Sequence, residues 1–380
     1  MMKTISMIVI SLVIMCALTL TVSADETYEY KLDRPSDKKA EDAVTSFIES
    51  LPDEIKDALP DGGKDADTGD YDTDYFVDRI KSALTDAVSP AMKTVSRLLG
   101  IVLIGAVFHI YAESVTQAGV RNVFSFCSTL CISLALFEVM KTLFNVTEAL
   151  LGTLSKTMLA MIPAMEAIYI SSGNITTAAV TSTGVNLMIG FVQSVFSNVV
   201  SPALYTAFVL CLGASVTGNR GVAFIVKTLK GLITGSVIVI MTVMTFVLSI
   251  QTAGASAADT LTSKTVRFAI GSYLPIVGGS VAESFSLLSG SIGVIKQGCG
   301  ITGIVVMIIA FLPPFAVILM NRIAVGFSGA VAGVLGCTEE STLLEECKGI
   351  CTILIAVCAG ACVMYVIALG IFCKTPMAVR

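Results

Sequence analysis

The stretch "YLPIVGGSVAESFSLLSGSIGVIKQGCG", residues 273–300, gathers side chains that could do chemistry in an otherwise oily chain. Glu283 and Lys296 are ionisable, while Pro275, Gly278, Gly279 and Gly290 weaken or break any helix that carries them. A carboxylate at membrane depth can relay a proton, hold a cation or meet a partner's charge, and its cost there marks it as a functional candidate. Irregular backbone survives at that depth only inside protein or beside a wet cavity. The stretch therefore predicts two broken or re-entrant half-helices, divided between Ser284 and Phe285, with ends facing a polar cavity or a partner protein. The milder alternative puts Glu283 and Lys296 at the membrane interface, where lysine snorkels. Glu138, Lys141 and Glu166 are read as charges at span ends, and His109, the one histidine, as a hydrogen-bonded packing residue.

Other chemistries lack their residues. There is no glycine-rich phosphate loop, no HExxH, and one histidine leaves no nucleophile–base pair, so no enzyme and no cofactor are expected. Eleven cysteines contain no CxxC; Cys127/Cys131, Cys347/Cys351 and Cys358/Cys362 are four apart and read as packing residues rather than zinc ligands. The aspartates of "PDGGKDADTGDYDTD" miss the calcium-loop register, because counting from Asp65 puts Gly69 at position five and counting from Asp70 puts Tyr75 where glycine belongs. That segment reads as a solvated linker.

The elements that must position these residues are membrane helices. The chain is 54% hydrophobic and 14% charged with mean hydropathy +0.85, outside the range of soluble globules. Gly231–Ile250, Gly300–Met320 and Gly349–Cys373 carry no charge, and neither do residues 167–219. A crossing needs roughly 20 such residues. The fold class is all-α: a polytopic helical membrane protein of seven to nine spans. Expected spans are 98–116, 123–141, 157–175, 184–200, 203–218, 231–250, 268–282, 300–320 and 349–373.

Residues 1–24 read as a cleaved signal peptide, with Lys3 ahead of an apolar run and Val22-Ser23-Ala24 as the cleavage site. Residues 25–94 form an acidic extracytoplasmic segment, and residues 25–90 alone carry net −11. In it Val44, Phe47, Ile48, Leu51, Ile55 and Leu59 have near-helical spacing, and Phe76, Ile80, Leu84 and Val88 lead into the first span. Residues 95–380 form the membrane domain, with net charge too small for nucleic-acid binding. The positive-inside rule places Arg121, Arg220, Lys227, Lys230, Lys296, Lys374 and Arg380 inside and the loop "CTEESTLLEECK" outside, which demands an odd number of crossings. Gly231/Gly235 and Gly329/Gly333 are GxxxG pairs suited to close helix packing. "MIPAMEAIYISSGN" and "YLPIVGGSVAESFSLLSGS" hint at an internal repeat.

The stretch "LPIVGGSVAESFSLLSGSIGVIKQGCGITGIV" resembles the central signature of the stage III sporulation protein AE family, and the resemblance extends over most of residues 95–380. It implies a multi-pass protein of endospore-forming bacteria, made in the mother cell and set in the membrane around the forespore. It further implies a secretion-like channel assembly with a cytoplasmic ATPase, ring-forming membrane proteins and a forespore-side partner, supporting late forespore gene expression. The family carries no catalytic residues to transfer. The resulting expectation is an export-gate or permease-like component powered by a partner. A self-sufficient secondary transporter using Glu283 or Glu166, or a purely structural membrane platform, stay open as alternatives.

Overall fold

The structure is a computed structural model, and it describes residue 42 and residues 45–51, 73–114, 118–217, 220–273 and 278–374. The signal peptide lies outside the described residues. Every described element is helical: α1 (Thr73–Ser114), α2 (Ala118–Ser171), α3 (Ile175–Val195), α4 (Ser201–Thr217), α5 (Arg220–Tyr273), α6 (Gly278–Val334) and α7 (Thr338–Lys374). A π-helical turn, Phe196–Val200, joins α3 to α4 as one rod. Proline has no N–H to donate, and the extra residue of a π turn absorbs such a missing rung just ahead of Pro202.

Six rods result, and six helices among the described residues are long and apolar enough to cross a membrane. Several expected spans fuse. Span 123–141 and residues 157–171 of span 157–175 are parts of α2, and Pro163 sits inside that helix without ending it. Spans 184–200 and 203–218 share the α3–α4 rod. At about 1.5 Å per residue α6 is roughly 85 Å long if straight, far beyond the ~30 Å hydrocarbon core. α1 also runs unbroken through residue 94, where the acidic segment was divided from the membrane domain.

Two sharp turns set the antiparallel order. Gly173 (φ +80°) ends α2, and the Asn174 N–H donates to Tyr169 O at 2.8 Å. Gly336 (φ +81°) ends α6, and the Cys337 N–H donates to Ala332 O at 3.0 Å. Both are Schellman closures, which need the left-handed conformation that glycine adopts without strain. From the second turn α6 and α7 run back to back along their length. Gly329 faces Leu344, Arg322 Nε donates to Thr352 Oγ1 at 2.8 Å, and Gly303 faces Leu369.

α7 is the axis of the bundle, 78% buried in its apolar window, and α5 lies outermost at 17%. Around α7 one continuous core includes Tyr365, Phe372, Leu136, Met140, Leu154 and Phe208. Phe47 and Leu51 of the acidic segment, 2% and 3% exposed, belong to that same core. Part of the segment read as extracytoplasmic is therefore docked on the bundle.

The charge-based topology needs a correction. Lys230, at the start of α5, forms an ion pair with Glu346, near the start of α7, and Ser215 Oγ donates to Glu339 O at 3.5 Å. The positive-inside scheme put Lys230 and the "CTEESTLLEECK" glutamates on opposite faces of the membrane; the fold places them together. The reversals from the two fused pairs cancel ahead of Lys230; the glutamates change sides because 268–282 is no crossing of its own, residues 268–273 ending α5 and residues 278–282 opening α6. With six alternating rods, Thr73 and Lys374 stand at the same end of the bundle.

Candidate functional site: a polar cleft at membrane depth

The stretch that singled itself out in the sequence divides across the structure. Pro275 lies outside the described residues, between the end of α5 and the start of α6. Gly278 opens α6, and Gly279, Glu283, Gly290 and Lys296 follow on its backbone, with side chains outside the described residues. No break falls between Ser284 and Phe285, since α6 is helical from Gly278 onward. His109 likewise has its side chain outside the described residues.

The glycine pairs behave differently from each other. A Cβ built on Gly329 would lie 3.1 Å from Leu344 Cβ, and one on Gly333 would lie 3.1 Å from Ser341 Oγ. Ser341 Oγ also donates to Gly329 O at 2.9 Å, so this pair is the contact that lets α6 and α7 approach. Gly231 and Gly235 are exposed on α5 with nothing within 4 Å of an added Cβ. Among the described residues they pack against no other helix; α5 turns that side away from the bundle.

Among the described side chains, polar groups gather where α1, α2 and α6 meet. Pro90, Thr94, Arg97, Glu138, Thr142 and Asn321 line a cleft of about 170 Å³, with Val139, Leu143 and Val317 as its apolar wall. Arg97 of α1 pairs with Glu138 of α2. Thr94 Oγ1 donates to Asn321 Oδ1 at 2.9 Å, and Asn321 Nδ2 donates to Val317 O at 2.9 Å. Pro90 supplies no N–H, and its own carbonyl accepts from Thr94 Oγ1 at 3.3 Å. The cleft is polar, open at one side and roomy enough for several water molecules.

Its depth follows from neighbouring contacts. Cys351 Sγ of α7 lies 3.8 Å from Met140 Sδ of α2, and Ser155 Oγ is 3.1 Å from Tyr365 Oη. Residues 140–155 of α2 are thus level with residues 351–365 of α7, inside the charge-free run Gly349–Cys373. Glu138 and Lys141, read from sequence as span-end charges, lie level with about Gly349 and Thr352, the start of that apolar run, although α2 itself continues past them. A charge facing lipid at mid-membrane costs about 2.5–3.5 kcal/mol even on the gentlest scale. Nearer the α1–α2 turn the same two helices expose Leu103, Ile104 and Val107 and Val123, Phe126 and Leu134, so the charges are confined to one part of this side.

Sequence reasoning also passed over Asp259. It sits on α5, 6% exposed, and accepts the N–H groups of Thr176 (3.1 Å) and Thr177 (2.6 Å). These are free donors of the first turn of α3, whose preceding residue Asn174 makes no side-chain cap. Asp259 supplies the cap from another helix, and its charge complements the helix dipole. A signal existed: Asp259 is the one charged residue between Lys230 and Lys264, as isolated as Glu283. Among the described residues no group of three His, Cys, Asp or Glu could hold a metal ion.

The chain matches the family model for stage III sporulation protein AE over residues 60–375. It is also 22% identical over 327 residues to the Stage III sporulation protein AE of Bacillus subtilis (strain 168), an alignment spanning 84% of this chain and 82% of that protein. No solved structure matches it. Helical fold, apolar spans and a family match over most of the sequence agree: this chain belongs to the stage III sporulation protein AE family.

Proposed function

We propose that this protein is an export-gate or permease-like component of a sporulation-specific secretion channel that links mother cell and forespore and is needed for spore development. It works in the mother-cell-derived membrane around the forespore. Energy comes from a partner ATPase, and ring-forming membrane proteins complete the conduit. The observation that favours a gate over a bare platform is the Arg97–Glu138 cleft, an open polar feature where the charge-free runs of α6 and α7 end. A platform that only recruits partners has no use for such a cleft.

The test is a count of heat-resistant spores in a deletion strain of the source organism. The strain is complemented with wild type, Arg97→Leu, Glu138→Gln, Glu283→Gln or Lys296→Ala at matched membrane levels. Deletion should stop development after engulfment, and Arg97→Leu should rescue poorly because it leaves Glu138 unpaired. Unchanged counts on deletion sink the sporulation reading. Full rescue by all four point variants returns the protein to the role of platform.

A further inference from the structure

The outer surface of α2 carries a single charged stripe. Glu138, Lys141, Glu148, Lys156 and Glu166 recur at helical spacing on one side, with Asn145 and Gly152 between them. All but Glu166 and Gly152 are exposed, and those two are half-buried. α1 has a matching face. Lys81, Asp86, Lys93 and Arg97, with Ser82, Thr85 and Ser89 among them, are all exposed.

Lys81, Asp86 and Lys93 of α1 and Lys141, Glu148 and Lys156 of α2 lie level with the charge-free run of α7, while nearer the α1–α2 turn the same faces expose Leu103, Val107, Val123 and Leu134. Thr94 of α1 bonds to Asn321, the neighbour of Arg322, which bonds to Thr352 of α7. Ala87 of α1 packs on Ala316, inside the charge-free run Gly300–Met320. The opposite side of the bundle shows what a lipid-facing surface looks like at this level. There α5 exposes Leu232, Ile238, Val239, Val243, Phe246 and Ile250 with no charge between Gly231 and Ile250. Gly360 of α7 lies beside Met241 of α5, which ties the two sides to one height.

We infer that the polar stretches of the outer faces of α1 and α2, residues 81–97 and 138–166, line a water-filled passage at the depth of the charge-free helices, with α5 turned to lipid. Charges of both signs alternate along the wall, so the passage suits hydrated polar solutes of either charge rather than one selected ion. Water solvates each group, whereas lipid leaves it unpaired and a tightly packed protein neighbour requires an opposite charge for each. The cleft at Arg97 and Glu138 is the point where the wall is indented. The inference rests on the channel reading proposed above, and it names the surface that reading requires.

Cysteine accessibility tests it. Single cysteines replace Asn145, Gly152 or Ser89 on the polar wall, or Val239 or Phe246 on α5, in the full chain with Cys127→Ser and Cys131→Ser. Sealed membranes from sporulating cells are treated with a charged, membrane-impermeant maleimide. An added Cβ at Gly152 meets nothing within 4 Å, so that variant keeps the native packing. The wall positions should label at least tenfold faster than the α5 positions. Equal rates on both faces, or wall cysteines that label only after denaturation, overturn the passage. The readout does not depend on spore yield: a labelled wall in a strain whose spores survive deletion keeps the passage and discards the sporulation role.

Discussion

The carboxylate of Asp259 closes the first turn of α3 from 82 residues away, with 2.6 Å between Oδ2 and the Thr177 N–H. That bond, with the one to Thr176, joins the two rods of a hairpin at their far end. Removing it leaves the buried Thr177 N–H and the part-buried Thr176 N–H unpaired. Asp259→Ala should cost about 1–3 kcal/mol, and Asp259→Asn, which keeps one good acceptor, should cost less. Thermal unfolding of the purified protein in detergent reads both. Identical melting of Asp259→Ala and wild type sinks the cap.

The two glycine pairs make opposite predictions. Gly329→Leu drives a side chain into Leu344 and should destabilise by about 1–3 kcal/mol, because α6 and α7 must separate. Gly231→Ala and Gly235→Ala enter open space and should be neutral or stabilising by up to about 1 kcal/mol, since alanine is the better helix former. The same melting experiment checks this. A large loss at Gly231 or Gly235 indicates that a second molecule packs there.

Hydropathy made the membrane class and the apolar runs legible, because every lipid-exposed helix must be apolar whatever its neighbours. Helix ends were not legible in the same way. The gap expected between 141 and 157 is interior to α2, and Pro202, between two expected spans, follows a π turn that spares the rod. A lone carboxylate like Glu283 is equally present at Asp259, but its small and polar surroundings, "GASAADTLTSK", fall between the expected spans 231–250 and 268–282. The partners of Asp259 and of Lys230 lie 82 and 116 residues away, a distance no local pattern encodes.

Cys337, in the turn between α6 and α7, is 1% exposed, and burial, with Glu340 adding to it, pushes its thiol above the ordinary 9.0. The thiolate is the reactive form. Iodoacetamide should therefore modify Cys337 slowly at pH 8, and the rate should climb about tenfold per pH unit toward its raised pKa. Denaturant should abolish the delay. The linked stability has a definite sign: the protonated thiol favours the fold fully below the unfolded pKa, and that contribution fades as pH rises through the folded one. Peptide mapping after timed alkylation measures the rate. Fast modification at pH 8 in the folded protein contradicts the buried turn.

The pair between Lys230 and Glu346 decides the topology. Their side chains are 14% and 27% exposed, so neither charge is well solvated once its partner is gone. Lys230→Glu sets two carboxylates against each other beside the buried Cys347 and should cost about 3 kcal/mol. Glu346→Lys should cost a similar amount. The double variant restores opposite charges and should recover most of the loss, because coupling of this kind needs direct contact. A membrane topology that puts residue 230 inside and residue 346 outside forbids the recovery, since two charges a bilayer apart cannot compensate each other. Additive losses in the double variant would therefore dismantle the six-rod arrangement at its most informative contact, while recovery fixes both residues to one side of the membrane.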